Sequence, residues 1–237
     1  MINIKERSTE KEIMEDLRCE GEVVERTLKE LDKINLLLGG NKVTISALEN
    51  CMQKIKDYKT IKIADLGCGS GDILRIICRK LRKKDLPVLL TGIDANPFII
   101  DYAVRNSVDY PEITYRCLNV FSEDFYKEKF DIVNCTLFCH HFDNGSLCEL
   151  LKKLKDQTTT AIIINDIHRH WLAFHSIKLL TRLFSSSAMI KNDSAVSVLR
   201  AFRRKELSGI IEKAGYKNYS IKWKWAFRFE VIIWVNN

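Results

Sequence analysis

The chain has 237 residues, 46% of them apolar and 9% aromatic, with 10 glycines and 3 prolines. That is enough for one large domain or a domain with an appendage, and it excludes a disordered, collagen-like or linker-rich sequence. Lys and Arg exceed Asp and Glu by 38 − 31 = 7, and the excess lies at one end: residues 168–237 carry 13 basic and 4 acidic side chains, a balance of +9 that leaves −2 for the rest.

The first 58 residues read as a helical segment. Thr9 and Glu12 have capping-box spacing. Val24, Leu28, Leu31, Ile34 and Leu38 recur on one helical face, Gly39 and Gly40 supply a stop, and a second helix is expected over 46–58. From Ile61 the pattern changes to short apolar runs at 61–66, 88–94, 113–118, 130–136 and 160–166. These alternate with helical stretches at 72–82, 98–107 and 146–154. Continuous apolar strands separated by helices predict a parallel sheet covered on both faces. Residues 219–225 and 228–235 are aromatic and β-branched with a short turn between them, so they predict an antiparallel hairpin. The eight cysteines, the N-terminus without an apolar core and the lack of any apolar run near ~18 residues fit a reduced, soluble, cytoplasmic protein with no membrane span.

The sharpest local signal is Asp65-Leu66-Gly67-Cys68-Gly69-Ser70-Gly71-Asp72, between a predicted strand and a predicted helix. Its Gly-x-Gly-x-Gly spacing differs from the dinucleotide fingerprint, whose third glycine would fall at Asp72, and no Gly-Lys-Ser/Thr follows to make a nucleotide P-loop. Asp94 ends the second strand, where a carboxylate accepts two hydrogen bonds from a ribose diol. Asn119 and Val120 end the third, suited to the edge and face of an adenine.

With these residues the chain resembles the class I S-adenosylmethionine-dependent methyltransferases, of the small-molecule, quinone-biosynthesis type, over residues 61–237. The resemblance implies an α/β, Rossmann-like doubly wound seven-stranded sheet: five parallel strands plus the C-terminal antiparallel hairpin, with N-terminal helices and a helical cap insert. It divides the chain into a cap segment, 1–58, and a methyltransferase domain, 59–237, with the insert at about 171–202. It implies S-adenosylmethionine as cofactor and S-adenosylhomocysteine as product. Gly67, Gly69 and Gly71 match the loop under the methionine part, Asp65 the acidic residue near its amino group, and Asp94 the ribose ligand. Asn119 stands where an aspartate often faces the adenine amino group. Cys68, Ala95, Val120 and Cys135 adjoin these positions and complete the expected cofactor set.

The acceptor is less sharply marked. The Asn/Asp-Pro-Pro-Tyr/Phe motif of amine methyltransferases and the Pro-Cys nucleophile of cytosine methyltransferases are both absent; the fourth strand runs instead into Cys139-His140-His141-Phe142. A small, largely apolar, phenolic or quinone-like molecule methylated on oxygen, or on carbon, is the expected partner, with His140, His141 or His168 as the catalytic base and His170 as a further candidate. Cys135, Cys139, His140 and His141 are not read as a metal site, because adjacent histidines on a strand-to-loop segment rarely converge. Arg169 reads as an exposed arginine or an anion contact. The apolar face formed by Trp171, Phe174, Ile177, Leu180, Leu183 and Phe184 reads as a cap over a pocket, with Trp223 and Trp225 contributing. An alternative is an RNA methyltransferase using Arg200, Arg203, Arg204 and Lys205. A third reading lays the 171–184 helix, with Lys178 and Arg182, in a lipid interface. The oligomeric state is not encoded in any of these motifs.

Overall fold

The computed structural model describes residues 3–55 and 60–235. Seven strands form one sheet: β1 Ile61–Leu66, β2 Val88–Asp94, β3 Ile113–Cys117, β4 Phe130–Thr136, β5 Thr158–Ile167, β6 Tyr219–Lys224 and β7 Arg228–Trp234, in the order β3-β2-β1-β4-β5-β7-β6. The first five run parallel, and β7 lies antiparallel to both β5 and β6. Strand order reverses between β1 and β4, so a crevice opens at their carboxyl ends, where ligands bind in sheets of this kind.

Nine α-helices lie among the described residues: α1 Glu22–Leu37, α2 Gly40–Met52, α3 Asp72–Arg82, α4 Pro97–Arg105, α5 Glu123–Tyr126, α6 Asn144–Gln157, α7 Trp171–Phe184, α8 Ala188–Arg200 and α9 Arg204–Lys213. One sheet face carries Ile61, Ile63 and Ile163 against α2 and α3; the other carries Val133, Ile162 and Val231 against α6 and α9. α3 shows why the periodicity was legible: Ile73, Leu74, Ile77, Cys78 and Leu81 are its buried stripe and basic residues fill its last turn. Asn96 caps α4 by accepting from the Phe98 and Ile99 amides, with Pro97 at the first helical position.

The N-terminal segment departs from its reading. No helix starts at Thr9; residues 3–20 cross the sheet edge as a strap with one 3-10 turn, Ile13–Glu15. The capping comes from elsewhere: Asp193 on α8 accepts from the Ile13 and Met14 amides at 2.8 and 3.0 Å, and Glu12 turns inward. Gly39, in the left-handed region, does end α1 as expected, but α2 starts at once at Gly40, six residues before the expected 46, with Gly39 as its N-cap. The last residues of the helix expected over 46–58, and the proposed division at 58/59, lie outside the described residues. The 171–202 insert is two helices, α7 and α8, packed on each other. No helix among the described residues is long and apolar enough to cross a membrane.

The β6–β7 turn places two adjacent non-glycine residues, Ala226 (φ 61°) and Phe227 (φ 55°), in the left-handed region, which costs a side chain roughly 1–2 kcal/mol. Ala226→Gly should therefore raise stability by about 0.5–1 kcal/mol, read as a higher urea midpoint with an unchanged slope.

Candidate active site

All three loop glycines have left-handed backbone: Gly67 φ 67°, Gly69 φ 51° and Gly71 φ 76°. Their surroundings differ. A Cβ on Gly67 would stand 2.3 Å from the Phe138 ring, and one on Gly71 2.0 Å from the Tyr115 hydroxyl, so those two glycines are needed by the protein's own packing. A Cβ on Gly69 would meet only Leu28, at 3.8 Å. The open space is thus at Gly69, where a ligand can approach the backbone. Gly69→Ala should cost only the strain of its φ, about 1–2 kcal/mol, yet abolish calorimetric binding of the ligand; Gly71→Ala should destabilise the fold more, seen as a lower melting temperature.

Carboxylates surround this loop. Asp65 at the end of β1 is buried, held by Asn134 Nδ2 at 2.5 Å, and burial pushes its carboxyl well above the usual range. Asp94 is half-buried; its Oδ1 accepts from the Asn96 amide at 3.0 Å and its Oδ2 approaches the Gly69 amide at 3.4 Å, and burial raises it too. Asp32, on α1, accepts from the Ser70 hydroxyl at 2.8 and 2.7 Å; burial, and then Asp72, push it up to about 7. Asp72 is raised by burial and takes a hydrogen bond from Asn41 at 3.1 Å. Leu28 and Asp32 are one turn apart, so a single face of α1 lies over Gly69 and Ser70. Four desolvated carboxylates make a site that favours a cationic ligand.

A polar ladder continues along the sheet edge. Asn134 also donates to Thr136 Oγ1, which bonds Thr44 at 2.8 Å; Asn165 donates to Thr44 Oγ1 and to the Gly40 carbonyl, seating α2 on the sheet. Leu137, just past β4, has φ 53°, a conformation that turns the chain into the histidine pair.

The histidines converge, contrary to expectation: Cys139–His141 form a 3-10 turn and the two rings lie 4.3 Å apart. They are not equivalent. His140 is buried, with Nδ1 on Asp166 at 2.7 Å and Nε2 on Glu12 at 3.3 Å. Burial opposes its charge, but Asp166 and Glu12 outweigh it and push the ring up to about 10. It holds a proton at neutral pH and has no free nitrogen, which corrects its assignment as a base. His141 stands half-buried with Nδ1 on Glu15 at 2.8 Å, and its Nε2 has no hydrogen-bond partner among the described residues. His168 is half-buried; burial, then His170, lower it, and its buried Nδ1 has no hydrogen-bond partner among the described residues. His170 is spent on capping α7 through Leu172. Glu12, His140 and His141 bring ligand atoms within 4.8 Å of one another. Glu12, Glu15 and Asp166, however, already face Arg7, Arg200 and the protonated His140, so the charge balances with a proton in that place.

Other expectations need correction. Cys135 points into the core beside Cys139, because alternate residues of β4 face opposite sides of the sheet and it falls on the packed one, and the side chain of Val120, in the loop after β3, is buried in the same cluster. Cys68 is buried and its amide, like that of Gly67, donates to the Ile93 carbonyl. Ala95 lies half-buried at the site's rim, its carbonyl taken by Cys117 Sγ at 3.5 Å. Asn119 is exposed, but its Oδ1 accepts from the Phe121 amide at 2.9 Å, so that oxygen is already engaged within its own loop. Arg169 is neither exposed nor free: it is 1% accessible, paired with Glu206 at 2.5 Å, and donates to the Ile4 and Lys5 carbonyls, pinning the strap. Arg200 is buried against Glu15 and the His141 carbonyl, which removes it from any nucleic-acid surface. Of the supposed cap face, Phe174 is buried whereas Trp171, Leu183 and Phe184, with Trp223 and Trp225, are exposed.

Glu12, Glu15, Asp32 and Asp166 were not singled out from sequence as site residues. Asp166 carried a usable signal, a carboxylate inside an apolar central strand; the other three lie on segments distant in sequence.

Strand order, the crevice it opens and the glycine loop after β1 are those of the class I methyltransferase fold. Residues 63–160, about two fifths of the chain, match the family described as a methyltransferase domain, and the sheet has the Rossmann-like fold of the class I methyltransferases. A tRNA U34 carboxymethyltransferase of Sulfurimonas denitrificans (strain ATCC 33889 / DSM 1251) is 30% identical over 116 residues, 48% of this chain and 38% of that protein, so the chain spans well under two thirds of this curated relative. Among solved structures, the plantazolicin methyltransferase BpumL with a triazolic desmethylPZN analog and SAH superposes with a TM-score of 0.66 at 17% identity, over 90% of this chain and 91% of that one. The CurJ carbon methyltransferase gives 0.63 at 10% identity, over 83% and 54%. At these identities the likeness is one of fold.

Proposed function

We propose that this chain transfers the methyl group of S-adenosylmethionine to an oxygen, or a carbon, of a small, largely apolar molecule of phenolic or quinone-like type. The observation that carries this is the open backbone at Gly69 among Asp32, Asp65, Asp72 and Asp94, which suits a ligand bearing an ammonium, a sulfonium and a ribose diol. The sulfonium supplies an already activated methyl group, so the protein's part is alignment, exclusion of water and removal of the acceptor proton. Asp94 holds the ribose and the glycine loop the methionine part. His141 is the base: Glu15 orients Nδ1 and leaves Nε2 to take the proton, in the manner of a carboxylate-oriented imidazole. His140, fixed between Asp166 and Glu12, positions the turn that presents His141. The strap of residues 3–20, the rest of the 1–58 segment and the 171–202 insert act as the cover.

The test is transfer of labelled methyl from S-adenosylmethionine to a panel of phenols and quinols. His141→Ala should lower kcat by roughly 100-fold with S-adenosylhomocysteine affinity unchanged; absence of transfer to any member of the panel by a folded, cofactor-binding protein would reject this acceptor class. An RNA acceptor is the second reading, favoured by the tRNA-modifying relative and by Arg204 and Lys205, which remain exposed. RNA affinity falling steeply with salt, together with methyl transfer to RNA, would establish it.

A further inference from the structure

The helix α7 has a well-defined buried side, Ala173, Phe174 and Thr181, packed toward α8. Its other side is apolar as well. Trp171 (52% exposed), Leu172, Leu179 (59%), Leu183 (65%) and Phe184 (80%) all face outward on one 14-residue helix. At 3.6 residues per turn Trp171, His175, Leu179, Leu172 and Leu183 fall within an arc of roughly 120°, with Lys178 at its edge and Arg182 within it, between Trp171 and His175. The stripe does not end with the helix. Trp171 continues through His170, which stacks on Phe227 at 5.4 Å, to Trp223, which meets Phe227 edge-on at 6.2 Å. Trp225 stands 74% exposed at the hairpin tip whose backbone is held in the left-handed region.

Charge identifies what such a surface fits. From Ile167 to Asn192 the sequence contains no Asp or Glu. Lys178 and Arg182 on the helix are exposed. Of the nearby carboxylates, Glu230 pairs with Lys224 at 3.0 Å, and Glu30, on α1, is turned to the Ser185 hydroxyl beyond the end of α7. A two-fold contact between copies would bring these cations onto one another with no acid on the patch to answer them. Exposed tryptophans, an apolar arc and cations along it match instead the boundary of an anionic bilayer, where indole rings sit at headgroup level and basic side chains meet lipid phosphates.

We propose that α7 and the β6–β7 hairpin tip dock the protein peripherally on an anionic membrane surface, with the apolar arc at the headgroup boundary. Adsorption goes beyond the methyl-transfer reading and stands whichever acceptor is used. α7 starts directly after β5, on the sheet edge that holds the histidines, so the docked face adjoins the crevice.

Cosedimentation of the full chain with vesicles tests this, using phosphatidylcholine alone or with about 30% phosphatidylglycerol, at about 0.1 and 0.5 M salt. Pelleting with the mixed vesicles is expected, roughly tenfold weaker on phosphatidylcholine and weakened by salt, with a blue shift of tryptophan fluorescence. The Leu179→Glu, Leu183→Glu double variant changes two exposed side chains, so it should keep its circular dichroism and lose roughly tenfold or more of the binding; Trp225→Ser is an independent variant on the hairpin. The proposal is overturned by pelleting no greater than without vesicles, by binding that ignores lipid charge or these variants, or by a lipid-free dimer that Leu179→Glu dissociates.

Discussion

Asp94→Ala is expected to weaken binding of S-adenosylhomocysteine by roughly 100-fold or more, because two hydrogen bonds from a ribose diol to a carboxylate contribute about 1.5 kcal/mol or more each and 1.4 kcal/mol is a tenfold change. The carboxylate is half-buried at the end of β2 and burial raises it above its ordinary value. Two hydroxyl donors favour its ionised form, so affinity should fall as the solution is acidified through that raised value. Asp94 also receives the Asn96 and Gly69 amides. Asp94→Asn retains an acceptor for them and separates damage to the loop from loss of the ligand contact. Calorimetric titration of both variants is the measurement; an unchanged affinity in Asp94→Ala would remove this residue, and with it the placement of the cofactor.

Asp166→Ala is expected to cost about 3–5 kcal/mol of stability, the usual penalty for removing one partner of a buried ion pair. It strands the His140 proton in the core with Glu12 alone, where Asp166 now binds both the ring Nδ1 and the His140 amide. The same pair makes stability depend on pH with a definite sign. His140 titrates near 10 in the folded chain against an ordinary 6.5. Its contribution is therefore complete below 6.5 and is lost progressively as pH rises toward 10. Asp166 and Glu12 are depressed: burial works against them, but His140 outweighs it, so their contribution is present at neutral pH and is lost on acidification. Urea midpoints of the native protein should decline between pH 7 and 9.5, while His140→Gln, less stable throughout, should show a flatter profile there. A native profile level over that interval would mean that the ring is neutral in the fold, and would restore it as a base.

The same charge pairs fix the strap. Arg7 and Arg200 join it to the turn of histidines and Arg169 takes its Ile4 and Lys5 carbonyls, while Met14 and Cys19 add apolar contact with the cluster of Val24, Leu28, Ile99 and Tyr102. Arg169 and Arg200 are buried, so lifting the strap would leave buried charges without partners and is costly.

What the sequence determined by itself is the sheet and its glycine loop. Continuous apolar runs had one way to bury both faces, and β1, β2 and β4 match their predicted limits. The glycine loop is local chemistry: three residues that must have positive φ sit between a strand and a helix, and Asp94 lies at a strand end that the same pattern locates. Tertiary structure alone decided the roles open to the histidine pair. Whether His140 or His141 is free depends on Asp166, Glu12 and Glu15, which lie 26 or more than a hundred residues away. Thr9 and Glu12 had the spacing of a helix cap, yet the carboxylate gained more from a buried imidazolium than from a solvent-exposed amide. Arg169 reads as a surface cation in any local window, and it is interior because Glu206 and two strap carbonyls meet it there. Apolar periodicity showed that residues 171–184 form a helix, but not which of its apolar arcs would be covered, since burial is set by the neighbours a helix finds and not by its own composition.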